Sequence, residues 1–308
     1  ALGLLVGGLQ ACSAGNSDGN NGGNDSGSGG NGVDGLDGVE GGNDSLDGVD
    51  GVDGVDGGDG GTEDPKTCAQ AASNRTYVGC EFWPTITYNP VYSDFDFAVV
   101  LANGGTEDAT VTVTGNGQNI TDTVPAGGLK AITLPWVNTL KGPEFSRTNT
   151  SEGRAKTSVL APGTAYKVVS SVPVTAWQFN PLQYKKPIGE IVGGCGTQFG
   201  TQDCFSASND ATLLLPTTAM TKAYRAFTRA GILGGSAGAA YTSATSGVAI
   251  TATKNGTTVT VQLSPTCLAT QPFNTPPLPT CLATGTGVTG GNAGDIFDFT
   301  MNEGDVLE

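Results

Sequence analysis

The stretch FAVVLANGGTEDATVTVTG, residues 97–115, is patterned as β-structure from end to end. Residues 95–102, FDFAVVLA, are a largely apolar strand candidate closed by the turn residues Asn103, Gly104 and Gly105. Residues 109–114 then alternate apolar and polar side chains with period two, as a half-buried strand does. Gly115, Asn116 and Gly117 turn the chain once more.

The same grammar continues outward. Strand candidates fall at 129–134, 166–171, 174–179, 211–215, 224–227, 248–253 and 257–263. Pro173 marks an edge or a bulge, because proline cannot donate to a ladder. Asn255-Gly256, between the last two candidates, is the strongest hairpin signal in the chain. On the sheet face, Trp177 is expected to share a side with Thr175 and Phe179 and to lie in the core. The fold class predicted is all-β, as two β-sandwich-like units of short antiparallel strands, 65–205 and 206–308. A propeller-like or solenoid arrangement is the rival.

A faint repeat supports the two units. Residues 97–115 parallel VAITATKNGTTVTVQLS at 248–264, each a strand, a glycine-containing turn and an alternating Thr/Val strand. The second copy leads into GNAGDIFDFTMNEGDVLE at 291–308 and reads as unfinished. Before it, PTCLAT occurs at 265–270 and again at 279–284.

Charge divides the chain elsewhere. Of its 308 residues 49 are Gly, about twice the usual share. Residues 1–64 carry thirteen acids and no base, whereas beyond them sixteen acids face fourteen bases. Neither part offers the basic face that nucleic acid requires. Residues 12–64 have too little apolar surface to offset chain entropy, so they are expected to be a disordered Gly/Asn/Asp tether. A period-three run of Asp47, Asp50, Asp53, Asp56 and Asp59 lacks the ligand spacing and closing Glu of an EF-hand. It lacks the proline of collagen as well. As a Gly-rich coil the tether would span roughly 40 Å.

Residues 1–11 are apolar up to Leu9-Gln10-Ala11-Cys12, which is similar to the lipobox of bacterial lipoproteins. The reading is a partial signal peptide, cleavage before Cys12 and acylation of Cys12. Each buried CH₂ of an acyl chain contributes about 0.8 kcal/mol, and two or three chains hold firmly. The expected place is the bacterial envelope, outer membrane, facing the exterior. The other cysteines come in close pairs, Cys68 with Cys80, Cys195 with Cys204, and Cys267 with Cys281, which in an exported chain read as disulfides. Local pairing is the simplest of several connectivities.

Much chemistry is excluded. There is no histidine, so Ser-His-Asp and Cys-His catalysis and His-bearing zinc sites drop out. No Cys-x-x-Cys pair and no phosphate-cradling GxxxxGK[ST] is present. No metal or cofactor is expected. Asp94 with Asp96, or Glu303 with Asp305, would be needed for carboxylate catalysis, and solvated turn acids are the simpler reading. Lys185-Lys186 reads as a solvated loop. Trp83 and Trp136 stand beside prolines at strand ends and are the candidates for a ligand-facing aromatic patch.

Several phrases occur together in order: GCEFWP (79–84), FAVVLANGGTEDATVTV (97–113), VPAGGLKAITLPW (124–136), GTAYKVVSSVPVTAWQFNPL (163–182), NDATLLLPTTAM (209–220) and ITATKNGTTVTV (250–261). Over roughly residues 66–308 this resembles the IgGFc-binding-protein amino-terminal domain family, with bacterial, myxobacterial-type surface lipoproteins among its members. The resemblance implies a secreted β-rich interaction region. It carries neither the immunoglobulin ligand nor any binding residue over to this chain. Three functions are set against one another: an adhesion or binding module for a protein or glycan, a structural envelope component, and a carboxylate-dependent hydrolase.

Overall fold

The computed structural model describes residues 2–5, 64–89, 91–142, 157–192, 195, 203–206, 209, 211–227, 232–233, 243–244, 247–265 and 284–308. The acylation candidate Cys12 and the tether up to residue 63 lie outside the described residues. So do Cys267 and Cys281, and the disulfide expected between Cys267 and Cys281 is not among the two bonds described below.

In chain order the elements are β1 (Leu2–Leu5), α1 (Cys68–Asn74), β2 (Val78–Phe82), β3 (Phe97–Ala102), β4 (Ala109–Gly115), β5 (Gln118–Val124), β6 (Leu129–Leu134), α2 (Asn138–Lys141), β7 (Leu160–Ala161) and β8 (Lys167–Phe179). They continue with β9 (Lys185–Pro187), β10 (Asp203–Phe205), β11 (Ala211–Leu213), β12 (Ile232–Leu233), β13 (Ser243–Ala244), β14 (Ala249–Ala252), β15 (Thr257–Gln262), β16 (Ile296–Met301) and β17 (Val306–Leu307). The class is mostly β with antiparallel strand pairing, as the alternation predicted.

The largest sheet runs β5-β4-β8-β3-β6, with β2 and β11 also on β8. β4 alternates buried and exposed side chains, whereas β3 is buried at nearly every position because it lies between β6 and β8. β5 has no counterpart among the strands expected from sequence. It pairs with β4 from Ala109↔Val124 to Gly115↔Gln118, around a two-residue turn. That turn is Asn116-Gly117, with φ 45° and 73°. Positive φ at both positions is the hairpin geometry that matches strand twist.

Asn255-Gly256 plays a different part from the hairpin expected there. It turns the chain, yet β14 and β15 on either side do not pair with each other. β14 pairs with β17 and β15 with β16, so the turn is a corner between two sheets. Asn255 fixes that corner by accepting from the Glu303 amide at 3.0 Å. Residues 224–227, expected as a strand, have no strand pairing.

β8 unites the two candidates expected on either side of Pro173 into one strand of 13 residues. Its first residues pair with β4, Thr114↔Lys167 to Val111↔Ser170, and its last with β3, Ala102↔Thr175 to Ala98↔Phe179. Against β2 the register jumps from Gly79↔Val174 to Glu81↔Val169. The segment around Pro173 therefore bulges, where a missing N–H does no harm.

The main core gathers Phe82, Phe97, Leu101, Val113, Leu140 and Tyr166, together with Ala249 and Val306 from beyond residue 205. Full burial of each large apolar side chain contributes roughly 1.5–3 kcal/mol. Strand pairing crosses residue 205 too: β17 pairs with β7, and β11 with β8. A second cluster holds Ile250, Val259, Val288 and Met301, and a third packs Val91, Phe95 and Ile191 on the disulfide Cys195–Cys204. Cys68–Cys80 ties α1 to β2. Both are local pairs, as expected. α1 itself starts on a capping box: Thr67 accepts from the Gln70 amide at 3.2 Å, and Gln70 accepts from the Thr67 amide at 3.0 Å.

Trp177 does not face the core as expected. Ala176 and Gln178 are the buried neighbours, and Trp177 is half-buried on the other face. A polar residue points inward because its amide is fully used. Gln178 accepts from the Thr85 amide at 2.9 Å and donates to the Thr85 carbonyl at 3.0 Å. A buried amide paired this way escapes the desolvation cost of an orphan.

Candidate binding grooves

The two tryptophans singled out by sequence line two separate grooves. The first, of about 620 Å³, is bordered by Ser93, Asp96, Gln118, Thr133, Trp136 and Asn138. Trp136 follows the end of β6, where Pro135 stops the strand and α2 begins. Its indole is held from three sides. Nε1 donates to the Phe95 carbonyl at 2.7 Å, Phe97 packs against the ring at 5.7 Å between centroids, and the Lys141 ammonium lies 5.6 Å from the ring centre. The ring is half-buried, so part of its surface remains open to a ligand.

Asp96 brings a charge to the same groove, and its back is already engaged. It accepts from Gln183 Nε2 at 2.5 Å and from Lys186 Nζ at 3.5 Å. Lys186 also donates to the Asp94 carbonyl. Lys186 thus sits on β9, paired with β10, with only 17% of its side chain exposed, rather than in the solvated loop expected. Lys185 is the solvated one of the pair, at 60%.

The second groove, about 400 Å³, is lined by Trp83, Thr114, Lys167, Asn255 and Glu303 among others. Here Trp83 is buried, at 3% exposure, not open as the sequence reading expected. Lys167 covers it, with the ammonium 5.2 Å from the ring centre. That ammonium also bridges Glu303 at 2.9 Å and Glu81 at 3.5 Å. Burial alone pulls the Lys167 ammonium toward its neutral form. The two carboxylates outweigh it, and its pKa is raised above the ordinary 10.5. Glu81 accepts in addition from Trp83 Nε1 at 3.3 Å and Thr217 Oγ1 at 2.7 Å. The second groove is therefore a closed set of mutual contacts, whereas the first presents hydroxyls, amides and an open indole.

The acid pairs considered for catalysis are employed separately. Asp94 accepts from the Val192 amide at 3.3 Å, and Asp96 takes Gln183 and Lys186. Glu303 bridges Lys167. Asp305 accepts from the amides of Gly163 and Asn302 at 2.9 and 2.7 Å, stitching two turns together. Tyr166 is a core residue. Its hydroxyl donates to the Pro135 carbonyl at 2.6 Å and accepts from Asn116 at 3.0 Å, and burial raises its pKa despite the latter bond. Among the described residues no three His, Cys, Asp or Glu side chains cluster so as to hold a metal ion, and no helix is long and apolar enough to cross a membrane.

Of the six cysteines expected in disulfides, Cys68, Cys80, Cys195 and Cys204 are bonded as two local pairs. Cys267 and Cys281 differ in that neither falls within the described residues, so the third expected bond stays an expectation from sequence.

Sequence reasoning missed the groove made by Ser93, Gln118, Thr133 and Asn138 around Trp136. These residues come from four separate segments, and only pairing brings them together. The one local signal was the Trp-Pro neighbourhood.

The described region is mostly β and carries two local disulfides. The model of the IgGFc binding protein family matches residues 210–308, bearing out the family likeness over that span and suggesting a β-rich binding region. No curated protein and no solved structure matches the chain. Strands β14 to β17 lie within the matched part, and β3 to β6 before it have the same pairing scheme.

Proposed function

We propose that this chain is a secreted bacterial surface lipoprotein, anchored through acylated Cys12 in the outer membrane, whose β-rich region binds an extracellular protein or glycan. The observation that carries the reading is the match of residues 210–308 to a family of binding proteins. The LQAC sequence at residues 9–12 supports export and anchoring, and two disulfides suit an oxidising compartment. The Trp136 groove supports the binding role. An aromatic plane beside a few converging polar groups orients a ligand by stacking and hydrogen bonds. No immunoglobulin ligand is proposed for it.

Two measurements test this. Cells fed an alkyne fatty acid should label the wild-type chain in the outer-membrane fraction, and Cys12→Ala should abolish the label. The purified protein, applied to glycan and extracellular-protein arrays, should bind at least one ligand saturably, and Trp136→Ala should weaken it. Unlabelled protein in the cytoplasm would overturn the anchoring. Arrays silent for wild type would leave the structural envelope role in place of binding.

A further inference from the structure

The two repeats agree in four strands and differ in a fifth. In the first, β3 pairs with β6 and β4 with β5; in the second, β14 pairs with β17 and β15 with β16. The first repeat adds β8, which runs antiparallel along β4 and then along the free edge of β3. In the second repeat, among the described residues, β15 has β16 as its strand partner and β14 carries something else on the equivalent edge. That something is β1: Leu2↔Ala252 to Leu5↔Ala249, antiparallel, in the place β8 takes on β3.

We infer that the outer edge of β14 is an acceptor for an extended β-strand donated by a protein partner, filling the role that β8 fills in the first repeat. The inference deepens the binding function proposed above and rests on it in one respect, that cleavage before Cys12 removes β1. β14 is buried at all four residues with β1 in place, and β1 pairs with its outer edge. Without β1 the amides and carbonyls of that edge lose their ladder partners, and a new strand restores them. β1 shows what the edge accepts: an antiparallel backbone in four-residue register, from an apolar segment. The ladder needs regularly spaced N–H and C=O groups, which a protein strand supplies and a glycan does not. β8, the strand in the equivalent place of the first repeat, is rich in Val, Ser and Thr (KVVSSVPVTAWQF).

The test uses the whole chain and a Gly3→Pro/Leu4→Pro variant. In an antiparallel ladder alternate residues donate to the partner, so two adjacent prolines remove at least one inter-strand bond and displace β1. The probe is a fluorescent peptide of the β8 sequence, residues 167–179, with a scrambled control. The variant is expected to keep the wild-type circular dichroism and to show faster amide exchange at 249–252. It should bind the peptide saturably and regain slow exchange there, while the unmodified chain binds roughly tenfold more weakly. Scrambled peptide binding equally well, protection appearing elsewhere, or no binding by the folded variant would each overturn the acceptor. Self-association of the variant with protection at 249–252 would overturn the partner in favour of a second copy. The mass of the protein isolated from cells separately reads cleavage before Cys12. If residues 1–11 persist while the variant still takes up peptide, the acceptor stands and the lipoprotein reading fails.

Discussion

The hydroxyls of Thr85 and Thr251 meet 2.7 Å apart in the buried interior, across 166 residues of sequence. Thr85 also donates to the Trp83 carbonyl at 3.2 Å, and its backbone is held by Gln178. One polar thread thus runs from β8 through the segment after β2 to β14. It joins the strand that organises the first repeat to the strand that opens the second.

The two threonines are expected to differ in cost. Thr85→Val leaves the Thr251 hydroxyl buried and unpaired, which costs about 1–3 kcal/mol. Thr251→Val leaves Thr85 with its bond to Trp83 and costs less. The double variant should be less destabilised than the sum of the two. Urea unfolding of the four proteins measures this, and strict additivity would show that the hydroxyls do not interact.

Two glycines of one hairpin predict opposite tolerance. Gly117 has φ 73° with open space where a Cβ would go, so Gly117→Ala carries backbone strain alone, about 1–2 kcal/mol. At Gly115, with φ 113°, a Cβ would stand 2.3 Å from the Ala165 carbonyl oxygen and 3.1 Å from Tyr166 Cα. Backbone cannot swing aside, and Gly115→Ala should cost about 3 kcal/mol or more. Thermal melts of the two variants decide, and equal Tm values would contradict the close approach.

Lys167 sets a dependence on alkaline pH. Its folded pKa lies above the ordinary 10.5, so its ion pairs contribute fully below that value and lose their contribution as pH rises through the folded pKa. Denaturant unfolding should show wild type losing stability above about pH 10.5 more steeply than Lys167→Met. The two proteins should converge at the alkaline end. Parallel curves across the range would mean that Glu81 and Glu303 do not hold the ammonium.

The strands themselves were legible because period two is a local property. β4 and β6 lie where alternation and turn residues placed them, and Cys68–Cys80 and Cys195–Cys204 pair as proximity suggested. The faint repeat of 97–115 in 248–264 is likewise a local pattern, and the strands that begin in the two copies share a pairing scheme. Partner choice was not legible. Asn255-Gly256 and Asn116-Gly117 carry the same dipeptide, yet only the second closes a hairpin, because β14 finds its neighbours far along the chain. Alternation likewise tells that Trp177 and Gln178 face opposite ways, but not which side is interior. Thr85, 93 residues from Gln178, settles that. The Trp136 groove depends on the same distant pairings and left only a proline beside a tryptophan as its trace.

The position of β8 in the chain has a consequence for how this protein comes into being. β3, β4, β5 and β6 all precede it, and the strand that runs along both β3 and β4 emerges last. A chain made amino end first would present the pairs β3–β6 and β4–β5 before their common bridge arrives. Contacts of such long sequence separation form slowly, and unpaired strands are vulnerable to aggregation in the interval. The delay before Lys167 and the residues after it emerge is thus the period in which a chaperone has most to do.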